Sequence, residues 1–512
     1  MHRRTFRHDQ PDNLNDFHPS RIASVKITSF TKPSNSFSGN VLKLVTGATL
    51  AQALGVLISP IVTRLFAPEA YGISALFLSI TGIIGVIVCL RYELAIMLPK
   101  THEEAANVLA VSLCSVLLIT ILSALIVIWG SDHILHLIKA PELKNYLWLI
   151  PVAVFFSGVS AALNYWNSRT KHFGRLSVVQ LISSITTQAT KLAAGFAGFV
   201  SGGVLIVTSM LGGMVSTGAL AGQIWRDDKK LFVSHVRWRG IADGFIRFRK
   251  FPIIDTWGGL LNAISWQLPA LMLSSFFSLS VVGFYALGLT VIKTPLSIIA
   301  GALSQVFYQK ACDEKNVKGN NGELVENLMD KLMFVGILPT MVLAMVGEEL
   351  FTVVFGGRWA EAGRYTQLFA PWIFVWFISS PLSALFFVYE RQGAALSVHS
   401  MIFLTRVISL YIGGIYQNIY LALGLFSVTG VAAYAFVVAW NIRLAHANGR
   451  RILLNFFKYT LHSLPVLLCL FFVKYTFQFS SIVILSSALF IVTFYFFAFR
   501  SKYISLLAAF RK

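Results

Sequence analysis

The chain reads as an all-α, polytopic membrane protein of fourteen transmembrane helices, and three observations carry that reading. Across 512 residues the apolar types make up 56% and the charged types only 12%, with a mean hydropathy of +0.70. A water-soluble chain carries about 25% charged residues. The apolar residues fall into runs of about 20, the length that crosses a bilayer core. The loops between the runs are basic.

In order, the runs lie at 42–65, 71–90, 105–129, 143–165, 177–199, 202–225 and 252–275. Seven more follow at 280–310, 331–355, 365–389, 397–416, 418–440, 455–474 and 479–499. Residues 1–38 contain Arg3, Arg4 and Arg7 and no apolar core, so they predict a disordered cytosolic tail rather than a cleaved signal peptide. Residues 226–251 predict a basic cytosolic linker that divides helices one to six (39–225) from helices seven to twelve (252–445), with two further helices in 446–512.

Orientation follows from Lys and Arg, which resist translocation. With the N-terminus inside, 33 of the 42 fall on the cytoplasmic side, 6 outside and 3 within helices. Both termini are therefore expected in the cytoplasm. Trp129, Trp148, Trp166, Trp225, Trp257 and Trp440 stand near run ends, where an indole sits well between headgroup and hydrocarbon. Gly218 and Gly222 form a Gly-x-x-x-Gly pair, expected to pack helices closely.

The net charge of +20 does not imply nucleic acid, because the basic residues sit in short loops rather than on a polar domain. Four scattered cysteines suggest neither disulfides nor zinc, and no phosphate-binding loop or nucleophile motif points to an enzyme or a cofactor.

A repeat is visible: Pro60 then Gly72-Ile73-Ser74-Ala75-Leu76 matches Pro269 then Gly283-Phe284-Tyr285-Ala286-Leu287, the glycine segments at an offset of 211 residues and the prolines at 209. Pro151 and Pro371 match at an offset of 220. Six helices separate the copies, so the halves have parallel topology, an arrangement in which two lobes rock about a central site.

Charges inside a bilayer cost about 2.5–3.5 kcal/mol at a helix centre, so they tend to face a cavity. Lys191, Lys293 and Arg406 lie within runs five, eight and eleven, whereas Glu93, Asp255, Glu348 and Glu349 stand near run ends. Cations without midplane acids suit an anionic substrate such as a phosphate or pyrophosphate. Arg64 and Arg91, at opposite ends of runs one and two, form a second candidate set at the entrances. Gln52, Asn164, Gln180, Gln188, Asn262, Gln267, Gln305 and Gln309 supply amides on or near the spans that suit sugar hydroxyls. Two alternatives stay open: a multidrug or small-solute antiporter, disfavoured by the missing acid, and a non-transporting scaffold for glycan assembly, which leaves the buried cations unexplained.

Several segments together resemble a known family. They are TRLFAPEAYG from Thr63, LRYELAIMLP from Leu90, RTKHFGRLSVVQ from Arg169, NAISWQLPALMLSS from Asn262, and VGFYALGLTVIKTPLSIIAGALSQVFYQKA from Val282 to Ala311. In this order they resemble the polysaccharide transporter family, the Wzx-type O-antigen flippases of the multidrug/oligosaccharidyl-lipid/polysaccharide exporter (MOP) superfamily, over about 38–450. The resemblance implies two six-helix lobes in a V plus two C-terminal helices. It also implies transport of an undecaprenyl-pyrophosphate-linked glycan across a bacterial inner membrane by alternating access, for O-antigen lipopolysaccharide or another surface polysaccharide. Membrane lipids, a polymerase and a chain-length regulator are the implied partners. The tail before Ser38 is longer than the family pattern, which leaves the start codon open.

The charge asymmetry makes a direct prediction. In a cysteine-free background, single cysteines at Gly357 and Arg239 should be labelled by an impermeant reagent from opposite faces of the membrane. Labelling of both from one face would refute the topology.

Overall fold

The computed structural model describes residues 37–476 and 480–498, so the expected N-terminal tail and the last residues lie outside the described part. Among the described residues, fourteen helices of 18 residues or more account for the runs. The first six are α1 (Phe37–Leu65), α2 (Pro68–Ile87), α3 (His102–Ile138), α4 (Leu149–Arg169), α5 (Phe173–Phe196) and α6 (Gly202–His235). The next six are α7 (Thr256–Phe276), α8 (Leu279–Lys318), α9 (Gly322–Val354), α10 (Ala360–Leu382), α11 (Gln392–Ile415) and α12 (Ile419–Leu444). Two more, α13 (Gly449–Phe471) and α14 (Ser481–Ala498), pack against α9. No strand occurs among the described residues.

Local chemistry starts and stops these helices. Thr101, Ser278, Asn418 and Asn448 each accept a backbone N–H of the first turn, at 3.2, 3.4, 3.0 and 3.1 Å, and so cap α3, α8, α12 and α13. Gly319 ends α8 at φ +74°, a left-handed conformation that glycine adopts without a Cβ clash. At 40 residues α8 is about 60 Å long, longer than a bilayer core is thick.

Among the described residues, eleven helices are long and apolar enough to cross a membrane. α5, α7 and α14 fall outside that set: α14 is counted among the shorter apolar helices, over Ser481–Thr493, and for the other two the composition says why, since α5 carries Gln180, Ser183, Gln188 and Lys191, and α7 carries Asn262, Trp266 and Gln267. The polar residues of α5 line internal cavities, while Gln267 of α7 accepts from Ser79 of α2 at 3.3 Å across the lobe boundary.

The helix pairing repeats between the halves. α1 packs on α5 as α7 packs on α11, and α5 on α6 as α11 on α12. Likewise α3 meets α4 as α9 meets α10, while α2 and α6 flank α4 as α8 and α12 flank α10. These are the two six-helix lobes. They join where α2 lies along α7 and α8, whereas α1 and α8 touch sparsely.

The junction is a symmetric backbone contact. A Cβ on Gly72 would lie 2.8 Å from the carbonyl carbon of Leu279, and a Cβ on Gly283 would lie 2.8 Å from that of Pro68. Gly72 and Gly283, like Pro68 and Leu279, are 211 residues apart, the offset of the sequence repeat. Repeat-equivalent residues thus meet across the pseudo-two-fold axis, and only glycine permits the approach. Beside it Ser280 donates to Glu69 Oε1 at 2.5 Å.

Two expectations change, and the expected linker gains local structure. The linker at 226–251 is largely helical: α6 runs on to His235 and a short helix, Trp238–Arg247, follows. That helix is amphipathic, and its Ile241, Ala242 and Phe245 share an apolar cavity with Val111, Cys114 and Leu118 of α3. Gly218 and Gly222 have no heavy atom within 4 Å of a built Cβ, so among the described residues they support no close packing. Trp129, Trp148, Trp225, Trp257 and Trp440 are exposed, but Trp166 is fully buried, its Nε1 donating to Asp228 at 2.8 Å.

Gly283→Val should part the lobes at this junction. Cysteines at Glu69 and Ser280, in a background otherwise free of cysteine, should cross-link efficiently, and the substitution should cut the yield several-fold. An undiminished yield would show that the lobes do not depend on the glycine contact.

Candidate functional site

Because α1 and α8 touch little, a cavity of about 600 Å³ opens between them, walled by α1, α2, α5, α6 and α8. Lys191 of α5 and Lys293 of α8 both line it, one from each lobe. Among the described residues Lys191 has no hydrogen bond or ion pair. Lys293 rests on aromatic rings, and no hydrogen bond or ion pair holds it among the described residues: its Nζ stands 3.5 Å from the ring centre of Trp266 and 5.6 Å from that of Trp376. A ring face attracts a cation by ~0.5–2 kcal/mol but leaves the three N–H donors free. Gln52, Ser59, Gln188, Thr290 and Thr294 add neutral polar groups, and none of the described lining residues is acidic.

Arg406 is elsewhere. The expectation that it faces a cavity, as Lys191 and Lys293 do, is corrected by its surroundings. It is 3% exposed, and its Nη1 donates to the Ser265 carbonyl at 2.8 Å and to Ser265 Oγ at 2.9 Å. Its Nη2 donates to the Tyr434 hydroxyl at 3.3 Å, and the guanidinium lies 4.5 Å from the Trp266 ring centre. Partners from α7 and α12 hold it within the C-terminal lobe, so it braces Trp266, on which Lys293 rests.

Arg64 and Arg91 stand at the two ends of the lobe junction rather than in the cavity. Arg64 Nη2 donates to the Val353 carbonyl at 3.1 Å. Next to it Trp359, wholly buried, donates from Nε1 to the Thr63 carbonyl at 2.9 Å, and Thr63 Oγ1 donates to the Phe355 carbonyl at 3.2 Å. These bonds seal one end. At the other, Arg91 has a left-handed backbone at φ +63° and pairs through Nε with Asp255 of the opposite lobe at 2.8 Å and through Nη1 with Glu93 at 3.7 Å. Glu93 is buried, and burial pushes its carboxyl above the ordinary carboxylate range.

Of the amides singled out in the sequence, Gln52 and Gln188 line this cavity, while Asn164 and Gln180 line a second one beside it. Gln305 lies outside the described side chains. Trp266 was missed, although a tryptophan in the middle of a run, away from either interface, was an available signal.

The two cations should respond differently to substitution. Arg406→Met strands the Ser265 and Tyr434 acceptors and forfeits charge-assisted hydrogen bonds of ~1.5–3 kcal/mol each, so the melting temperature in detergent should fall clearly. Lys293→Gln should leave it unchanged or raised. Equal melting temperatures for both variants and the parent would overturn the bracing role of Arg406.

Comparison with known proteins agrees with this architecture. Among curated protein sequences none matches the chain. Solved structures do. A lipid II flippase, MurJ, in an inward closed conformation superposes with TM-score 0.69 at 15% identity, covering 90% of this chain and 99% of that one. A multidrug resistance MATE family transporter of the MOP superfamily, in an inward-facing conformation, gives 0.57 at 13% identity over 78% of this chain and 95% of that one. A MOP superfamily transporter from Pyrococcus furiosus, described as having a binding pocket of reverse polarity that suggests a different function, gives 0.54 at 13% identity over 79% and 95%. At these identities the likeness shows the fold, a two-lobed MOP-type bundle. A family model described as polysaccharide biosynthesis protein matches residues 61–364, more than half of the sequence. The chain therefore belongs to the polysaccharide biosynthesis protein family.

Proposed function

We propose that this protein is a flippase that moves an undecaprenyl-pyrophosphate-linked oligosaccharide repeat unit from the inner to the outer leaflet of a bacterial plasma membrane, for O-antigen or another surface polysaccharide. The observation that carries the reading is the cavity between the lobes, with Lys191 and Lys293 unpaired and no acid among its described lining residues. Two cations held in a partly desolvated cavity attract a pyrophosphate, and the neutral amides and hydroxyls around them offer partners to sugar. Unassisted passage of each sugar hydroxyl through hydrocarbon costs ~2 kcal/mol or more, and a polar cavity removes that barrier.

The alternating-access cycle has its handles at the two ends. Opening the sealed end breaks the hydrogen bonds of Arg64, Trp359 and Thr63, whereas spreading the other end breaks Arg91–Asp255. A pyrophosphate with about two negative charges moving outward gains roughly 4–5 kcal/mol per 100 mV of inside-negative potential if it crosses the whole field. A multidrug antiporter on this fold, which needs a carboxylate to hold a cation, is disfavoured by the same lining. A polymerase and a chain-length regulator fit the reading as partners that act on the product.

Reconstitution tests it. Proteoliposomes should flip a fluorescent undecaprenyl-pyrophosphate-linked glycan faster when a potential favours outward movement of negative charge. Lys191→Gln with Lys293→Gln should abolish flipping at equal protein incorporation, and Lys293→Asp should be worse than Lys293→Gln because it adds repulsion of the anion. Wild-type flipping by the double Gln variant would sink the cationic-cavity mechanism.

A further inference from the structure

A second cavity, about 500 Å³, lies within the N-terminal lobe between α2, α4, α5 and α6. It shares Leu78 and Ser209 with the first cavity, so the two are adjacent. Its chemistry is different: the described residues that line it include no charged side chain, yet they are rich in amides and hydroxyls. Volumes of about 300–1,000 Å³ are those of small-ligand pockets.

Two features show a site built for a polar occupant rather than a packing defect. The first is unspent hydrogen-bonding capacity. Thr217 is 3% exposed and its hydroxyl has no partner, and Gln180 Oε1 is likewise buried without one among the described residues, so each meets an occupant by turning its side chain toward the space. Asn164 uses its Nδ2 on the Ser160 carbonyl at 2.7 Å, and its Oδ1 meets no donor among the described residues. Buried polar groups left unpaired are costly, and they repay a ligand that supplies both donors and acceptors. The second is the origin of the space. A Cβ built on Gly85 or on Gly213 meets nothing within 4 Å, so the cavity is where α2 and α6 present no side chain.

We infer that this cavity is a sugar subsite, which takes an uncharged sugar of the lipid-linked substrate while the pyrophosphate lies against Lys191 and Lys293. The inference rests on the flippase reading and deepens it. A sugar hydroxyl both donates and accepts, which matches the amide oxygens of Gln180 and Asn164 and the Thr217 hydroxyl. A sugar acid is disfavoured, because its carboxylate would be desolvated in a lining without a cation. The cationic cavity thus selects the carrier headgroup, and the neutral one selects the first sugars.

Binding of three probes to the purified full-length protein tests this: bare undecaprenyl pyrophosphate, the same lipid bearing one neutral hexose, and the same lipid bearing one hexuronic acid. The neutral hexose should tighten binding about tenfold over the bare lipid, and the hexuronic acid should not. Gly213→Leu fills the cavity from a helical position open to it, and Gln180→Leu with Thr217→Val removes its polar groups. Each should erase the hexose gain and leave the affinity for bare lipid as it was, whereas Lys293→Gln should weaken all three probes. If wild type binds the bare lipid with no gain from the hexose, or if the subsite variants weaken bare and glycosylated lipid equally, the subsite is overturned while the flippase reading stands. If wild type binds none of the three, the flippase reading fails and the subsite falls with it.

Discussion

The rest of the structure depends on one steric constraint: the backbones of α2 and α8 touch at Gly72 and Gly283. Because each helix presents a bare Cα to the carbonyl of the other, the lobes close at that point without any side chain between them. Everything along the junction takes its distance from this contact. Trp359 can seat against Thr63 and Tyr71, and α2 can lie along α7 as far as Arg91 and Asp255. The same contact leaves α1 and α8 apart, and the cavity occupies the gap.

A hydrophobic bundle of this kind meets the cost of its internal cations in two ways. Arg406 is buried and given acceptors from α7 and α12, so its charge serves packing and rigidity. Lys191 and Lys293 are left half-buried on a cavity wall, where solvent or a ligand must complete their coordination. Trp266 links the two, since it lies under Lys293 and against Arg406. The helix cost is visible too, for α5 surrenders apolar surface along its length to provide Gln180, Gln188 and Lys191.

The two ends of the junction are held by bonds of modest strength. Arg91 and Asp255 are partly solvated, and such pairs contribute ~0–1 kcal/mol. At the Trp359 end the acceptors are backbone carbonyls at the ends of α1 and α9, which water satisfies when the lobes part. Neither end is locked, which under the proposed function is what a rocking pair of lobes requires.

What the sequence determined by itself was the membrane architecture, because the requirement that a helix fill a bilayer core writes its length directly into apolar runs. The fourteen helices, the two halves and the repeat offset that pairs Gly72 with Gly283 all follow from local pattern. The rarity of charge in apolar runs likewise singled out Lys191 and Lys293. Only the tertiary structure decided what each intramembrane polar group faces. Arg406 and Lys293 look alike in the sequence, since each is a cation in an apolar run. Rotation about the helix axis turns one onto Ser265 and Tyr434 and the other toward open space. The same holds for Gly218 with Gly222, whose spacing promised a packing face that the fold leaves empty, and for Gln180 and Thr217, whose missing partners appear only when four helices surround them. Helix existence is a one-dimensional property of the chain, whereas the facing of a residue depends on neighbours from other helices, such as Ser265, which lies 141 residues from Arg406.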